Sequence, residues 1–95
     1  MTEDNYSSML IGTKPFMNYV TGVVMQFTTK GAKDVVIKAR GKFIYRAVDV
    51  AEVVRKRFLS EQVELGPIKI DSEEFKNHEG RNVRVSSIEI TLSKK

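Results

Sequence analysis

Arginine and lysine, rather than any nucleophile, are the residues of this chain whose spacing suggests chemistry. Lys38-Ala39-Arg40-Gly41-Lys42 follows the apolar run Val35-Val36-Ile37, and Arg46 comes shortly after it. Lys14 stands just before Pro15, Arg55-Lys56-Arg57 form a second basic run, and Arg81 and Arg84 lie toward the C-terminal end. Ammonium and guanidinium groups set around a glycine turn can hold phosphates through charge-assisted hydrogen bonds.

Covalent and metal chemistry have a much poorer basis. The chain has no cysteine, and His78 is its only histidine, within the polar stretch Lys76-Asn77-His78-Glu79-Gly80-Arg81-Asn82. Thiolate metal sites, disulfides and cysteine–histidine pairs are excluded, and a Ser-His-Asp arrangement would need His78 to be buried rather than solvated. Glu73 and Glu74 are adjacent, so on a strand they would point to opposite faces and make a poor carboxylate pair. Neither Lys30-Gly31-Ala32-Lys33 nor Arg40-Gly41-Lys42 has the glycine spacing of a phosphate-binding loop. No catalytic residue, metal ligand or cofactor is expected, and the chain is not read as an enzyme.

The net charge of +4 is weak evidence by itself, because many basic proteins bind no nucleic acid. Its distribution says more. Between Lys30 and Arg57 nine cations face only Asp34, Asp49 and Glu52, a net of +6, whereas from Phe58 onward six cations face seven acids. The 95 residues suit one domain over 1–95 with a modest core, and the apolar and charged fractions are those of a soluble globular chain. No apolar run approaches the roughly 20 residues of a membrane span, and the acidic start Met1-Thr2-Glu3-Asp4-Asn5 is wrong for a secretory signal. An intracellular, unprocessed chain with no membrane partner is expected.

The elements that must position these cations can be read in order. Residues 1–6 look like a frayed tail, and 7–11 a short strand stopped by Gly12. Pro15 is suited to a first helical position, and the helix it opens reaches about Lys30, with Phe16, Val20, Val23, Val24 and Phe27 as its apolar stripe. Gly31 ends it, with Lys30 near the helix dipole's negative end. A second strand spans 34–38, parallel to the first because a helix joins them. A second helix starts at Lys42 or Phe43, with Ile44, Ala47, Val48, Val50, Ala51, Val54 and Phe58 on one arc. Val53 falls outside that arc and Arg55 inside it, which reads either as contact with a second subunit or as pattern noise. Beyond residue 62 the period becomes two, giving an antiparallel hairpin whose last strand covers 83–92. There Ile88, Ile90 and Leu92 share a face that Val83 and Val85 do not, which calls for a bulge or a packing partner. The predicted fold class is α+β, a two-layer β-α-β-α-β-β domain with a mixed four-stranded sheet.

Two surfaces of this arrangement could hold a phosphate backbone. At one, Lys14 joins Arg40, Lys42 and Arg46 where parallel strands end and helices begin, so that backbone N–H groups could assist. The other is the hairpin with Arg81 and Arg84, which could enter a minor groove. A solvated basic edge and an ordinary surface loop are the respective alternatives. The run ending in Arg57 and Phe58 fits a helix terminus, with Phe58 either in the core or at a contact between molecules.

Ile11-Gly12-Thr13-Lys14-Pro15-Phe16-Met17-Asn18-Tyr19-Val20 and Val36-Ile37-Lys38-Ala39-Arg40-Gly41-Lys42 resemble the Alba family of archaeal chromatin proteins. So do Ala47-Val48-Asp49, Val54-Arg55-Lys56-Arg57-Phe58, Gly80-Arg81 and Arg84-Val85-Ser86-Ser87-Ile88-Glu89-Ile90, in order and at similar spacing from about Met9 to Lys95. The resemblance implies a fold like the C-terminal domain of translation initiation factor three. It also implies a homodimer, or a heterodimer with a paralogue, that binds double-stranded DNA with little sequence preference and coats or compacts the chromosome in the cytoplasm. Carried over, Lys14, Arg40, Lys42 and Arg46 are body contacts to nucleic acid, together with Asn18 and Gly41 from the same blocks. Arg81 and Arg84 belong to the arm, and Phe58 with its neighbour Arg57 to dimer–dimer packing. Many family members carry two lysines before the proline, one of them subject to acetylation. Here the pair is Thr13-Lys14, so acetylation is impossible at the first position and open at Lys14. RNA is the alternative ligand, since a basic edge does not separate A-form from B-form backbones.

Overall fold

Val35, Ile37 and Ala39 alternate along one strand, and their burial against both helices decides how the sheet is laid out. In the computed structural model, which describes residues 6–95, they belong to β2 (Asp34–Arg40), an inner strand. The other elements are β1 (Tyr6–Leu10), α1 (Phe16–Thr28), α2 (Ile44–Val53), β3 (Val63–Lys76) and β4 (Asn82–Lys94). The sheet order is β1-β2-β4-β3, with β1 parallel to β2 and the other neighbours antiparallel. This is the mixed four-stranded α+β sheet expected from the sequence.

The helices cover one face. Val20, Val23 and Phe27 of α1 meet Ala47, Val50, Ala51 and Val54 above β2 and Ile90 and Leu92 of β4. Phe16 and Val24, expected on the same stripe, pack at its margin. Pro15 stands at the N-cap of α1 rather than opening it, with ψ at 141°, so the helix begins at Phe16, one residue later than expected. The helix stops at Thr28, so Lys30 lies beyond it, and Gly31 at φ 71° turns the chain so that the Ala32 N–H donates to the Gln26 carbonyl at 2.9 Å. The tail expected over 1–6 falls outside the described residues except for Tyr6, which begins β1. No helix among the described residues is long and apolar enough to cross a membrane.

The bulge offered for the phase shift of the last strand is absent from β4, and the one irregularity of the hairpin is a separate one in β3. Leu65 pairs with Leu92 and Ile68 with Ile90, so Gly66-Pro67 adds one residue to the edge strand. β4 itself runs unbroken, and Val83 and Val85 stay on the face opposite Ile88 and Ile90. β2 ends where Arg40 pairs with Ser87, and beyond that point only β3 and β4 continue together, from Ser72 opposite Ser86 to Lys76 opposite Asn82. The resulting arm is capped by Asn77, whose Oδ1 accepts the N–H groups of Glu79 and Arg81. It accounts for a radius of gyration of 14.7 Å, against about 12 Å for a compact chain of this length.

Candidate nucleic-acid interface

The basic turn is built on a glycine. Arg40 ends β2 in extended geometry, and Gly41 takes φ 57°, a region that other residues enter only at a cost. A short 3-10 turn (Gly41–Phe43) then leads into α2, which therefore begins a residue or two later than expected. Arg40 follows the buried Ala39, so its side chain leaves on the helix-free face of the sheet. There its Nη2 meets Glu73 Oε1 at 2.9 Å, with the two side chains 56% and 66% exposed. Lys42 is exposed, its Nζ 5.5 Å from the centre of the Phe43 ring.

The turn after β1 reaches the same edge. Ile11 extends the pairing of β1, its N–H donating to the Lys38 carbonyl at 2.8 Å, and residues 12–14 then cross toward α2. Arg46 Nη1 donates to the Gly12 carbonyl at 2.6 Å and the Lys14 carbonyl at 2.9 Å. Tyr19 Oη accepts the N–H groups of Gly12 at 2.9 Å and Lys14 at 3.0 Å. These amides, which the sequence offered as helpers in phosphate binding, are therefore engaged internally. Lys14 keeps an exposed side chain, and Asn18 lies exposed in the first turn of α1. Lys14, Arg40, Lys42 and Arg46 are thus gathered at one end of the sheet.

The arm leaves from that same end. A Cβ on Gly41 would lie 4.0 Å from Val85 Cγ1, so the basic turn sits against the arm's root. Arg84 pairs with Glu74 across the arm, Nη2 to Oε2 at 3.0 Å, while Arg81 Nε stands 3.8 Å from Glu79 Oε1. By strand alternation Arg84 shares a face with Ile88 and Ile90, opposite the face on which Arg40 emerges. Arg40 and Arg84 therefore flank the sheet's end from opposite faces.

Phe58 does not complete the core. α2 continues as one π-helical turn (Val54–Phe58), in which the Leu59 N–H donates to the Val54 carbonyl at 2.8 Å. The wider turn inserts a residue, so Leu59 takes the buried position and Phe58 remains 49% exposed. Glu52 binds both Arg55 and Lys56, the latter at 3.2 Å, while Arg57 has no ion pair among the described residues. The hydrogen-bonded Arg55 guanidinium holds the Glu52 carboxyl below the usual carboxylate range, against a smaller upward push from burial and with help from Lys56. Val53 is half-buried at the margin of the chain's own core.

Three features escaped the sequence. Tyr19 was given no role by the helical periodicity, and only the folded turn reveals its hydroxyl as a double acceptor. Pairing of Glu73 with Arg40 joins residues 33 apart in sequence. Leu65, Ile68 and Ile70 of β3 point to the helix side yet stay exposed. The gap between α2 and β3 is an apolar trough of two hollows, one lined by Leu65 and Ile68 with Val48 and Ala51, the other by Ile70 with Ile44 and Ile88.

A two-layer α+β sheet with a glycine turn at one end and a two-stranded arm beyond it is the Alba fold. The chain belongs to the Alba family: the family model named Alba matches residues 7–72. It is 61% identical over 88 residues to the DNA/RNA-binding protein Alba of Nanoarchaeum equitans, covering 92% of this chain and 97% of that one. With the protein of the same name from Methanocella arvoryzae it shares 53% identity over 94 residues, 99% and 94% of the two chains. The solved structure of Alba from Thermoplasma volcanium superposes with a TM-score of 0.80 at 46% identity, over 90% of this chain and 98% of that one. The Nanoarchaeum equitans and Methanocella arvoryzae relatives carry the names of binding proteins, not of enzymes.

Proposed function

We propose that this chain is a non-enzymatic, largely sequence-independent double-stranded DNA-binding protein that coats or compacts the chromosome in the cytoplasm as a homodimer. One observation carries the reading: the two basic turns and the protruding arm lie at the same end of the sheet. Cations on a rigid edge can follow a phosphate backbone, while an arm with Arg81 and Arg84 can reach into an adjacent groove. The names of the relatives in Nanoarchaeum equitans and Methanocella arvoryzae support the ligand class. Lys14 has an exposed side chain, and its acetylation would remove one of these charges.

The trough between α2 and β3 supports the dimer. β3 is an edge strand of 14 residues, and its exposed Leu65, Ile68 and Ile70 on one face invite coverage. A second copy supplies the same apolar residues, as a two-fold interface requires. RNA is the second reading, favoured by the DNA/RNA-binding names of the same relatives. Competition between duplex DNA and duplex RNA of equal length at matched salt decides the ligand. Preferential displacement by DNA supports the first reading, by RNA the second, and absence of binding to either contradicts both.

A further inference from the structure

Arg46 sits among the cations of the interface, yet its geometry gives it another task. One nitrogen, Nη1, spends its two hydrogens on the carbonyls of Gly12 and Lys14. Its guanidinium lies over the Tyr19 ring, with Cζ 5.7 Å from the centroid. The Tyr19 hydroxyl in turn accepts the N–H groups of the same two residues. Two side chains from two helices thus satisfy both polar backbone groups of Gly12 and of Lys14. The Tyr19 ring is buried, and Arg46 is half-buried.

We propose that Tyr19 and Arg46 are positioning residues that bracket the turn at 12–14 and pre-set Lys14 for a phosphate. This deepens the nucleic-acid reading and rests on it. A lysine on a loose turn loses backbone freedom as well as side-chain freedom when it binds, whereas a bracketed backbone has already lost it on folding. Thr13 and Lys14 remain exposed at the tip, so the bracket holds the main chain and leaves the ammonium group available. Arg46 acts on the ligand through Lys14, and its charge at the surface is secondary.

The test is a double-mutant cycle on duplex-DNA affinity with the full-length chain, combining Tyr19→Phe with Lys14→Ala. Tyr19→Phe removes only the hydroxyl and keeps the buried ring and the net charge. Affinity should fall about three- to tenfold with Lys14 present, the loss expected when ordering of the turn is deferred to binding, and hardly at all once Lys14 is alanine. Arg46→Ala in the same cycle should likewise lose most of its effect in the Lys14→Ala background. In the free protein, amide hydrogen exchange at Lys14 should speed up in Tyr19→Phe, a local readout that keeps the test valid if a double variant folds poorly. Additive effects in both cycles, or an unchanged affinity for Tyr19→Phe, would overturn the bracket while leaving the interface intact. An unchanged affinity for Lys14→Ala would remove Lys14 from the interface and the bracket with it.

Discussion

Glu73→Gln should make this protein bind duplex DNA more tightly. Arg40 Nη2 lies 2.9 Å from Glu73 Oε1 on the helix-free face, so an incoming phosphate must compete with a carboxylate already in place. The side chains are 56% and 66% exposed, and such a pair contributes about 0–1 kcal/mol to folding. Removing it should therefore barely change thermal stability. The bound state gains on two counts, because Arg40 no longer exchanges one anion for another and a carboxylate no longer faces the phosphates. Together these are worth about 0.5–1 kcal/mol per protomer, a two- to fivefold gain that a dimer on one duplex should multiply to about four- to 25-fold. The assay is fluorescence anisotropy at moderate salt with Glu61→Gln as a charge-matched control, since Glu61 makes no ion pair among the described residues. Equal tightening by Glu61→Gln would reduce the effect to net charge. Tightening that survives undiminished in an Arg40→Ala background would refute the competition, since only the loss of a nearby carboxylate should remain there.

The remaining expectations concern assembly, turn geometry and pH. Ile70 is already 76% exposed, so Ile70→Asp should cost the monomer little. In the dimer it should remove roughly 1.5–3 kcal/mol per copy, raising the dissociation constant on the order of a hundredfold or more by analytical ultracentrifugation. Gly41→Ala meets no atom closer than 4.0 Å, so only the φ of 57° opposes it. It should cost about 1–2 kcal/mol in denaturant melts and weaken DNA binding by moving Lys42. Glu52 has a lowered folded-state pKa, so its stabilisation is complete above the ordinary glutamate pKa and is lost as pH falls through the folded value. Glu52→Gln should accordingly melt earlier than the parent at pH 7, by roughly 0.5–1 kcal/mol, with the gap closing as pH drops below about 4.

Local pattern was enough for most of the architecture. The stripe of α1, the alternation in β2 and the period-two hairpin each repeat a periodicity that burial enforces, and Gly31 and Gly41 punctuate the chain where positive φ is needed. The placement of Lys14 beside Arg40 followed from parallel strands ending on one side. What was not legible depended on partners distant in sequence or on a change in local helical pitch. One inserted residue at the π turn exchanged Leu59 for Phe58 in the core, and a 3.6-residue wheel cannot register that shift. The β3 bulge was not foreseen, and Gly66-Pro67 can form it because β3 is an edge, where a missing N–H is tolerated. Tyr19 and Glu73 acquired their roles only when separate elements met.

The central claim is that cations at this end of the sheet bind the phosphate backbone without reading sequence. The most direct measurement is the salt dependence of affinity for two unrelated duplexes of equal length. Lys14, Arg40 and Lys42, with Arg81 and Arg84, would give a dimer between about 6 and 10 phosphate contacts, and hence a slope of log affinity against log salt of roughly −5 to −9. Both duplexes should show the same slope and nearly the same affinity, and Lys42→Ala should make each slope shallower by about 2. A slope near zero, or an affinity that differs by orders of magnitude between the duplexes, would contradict it.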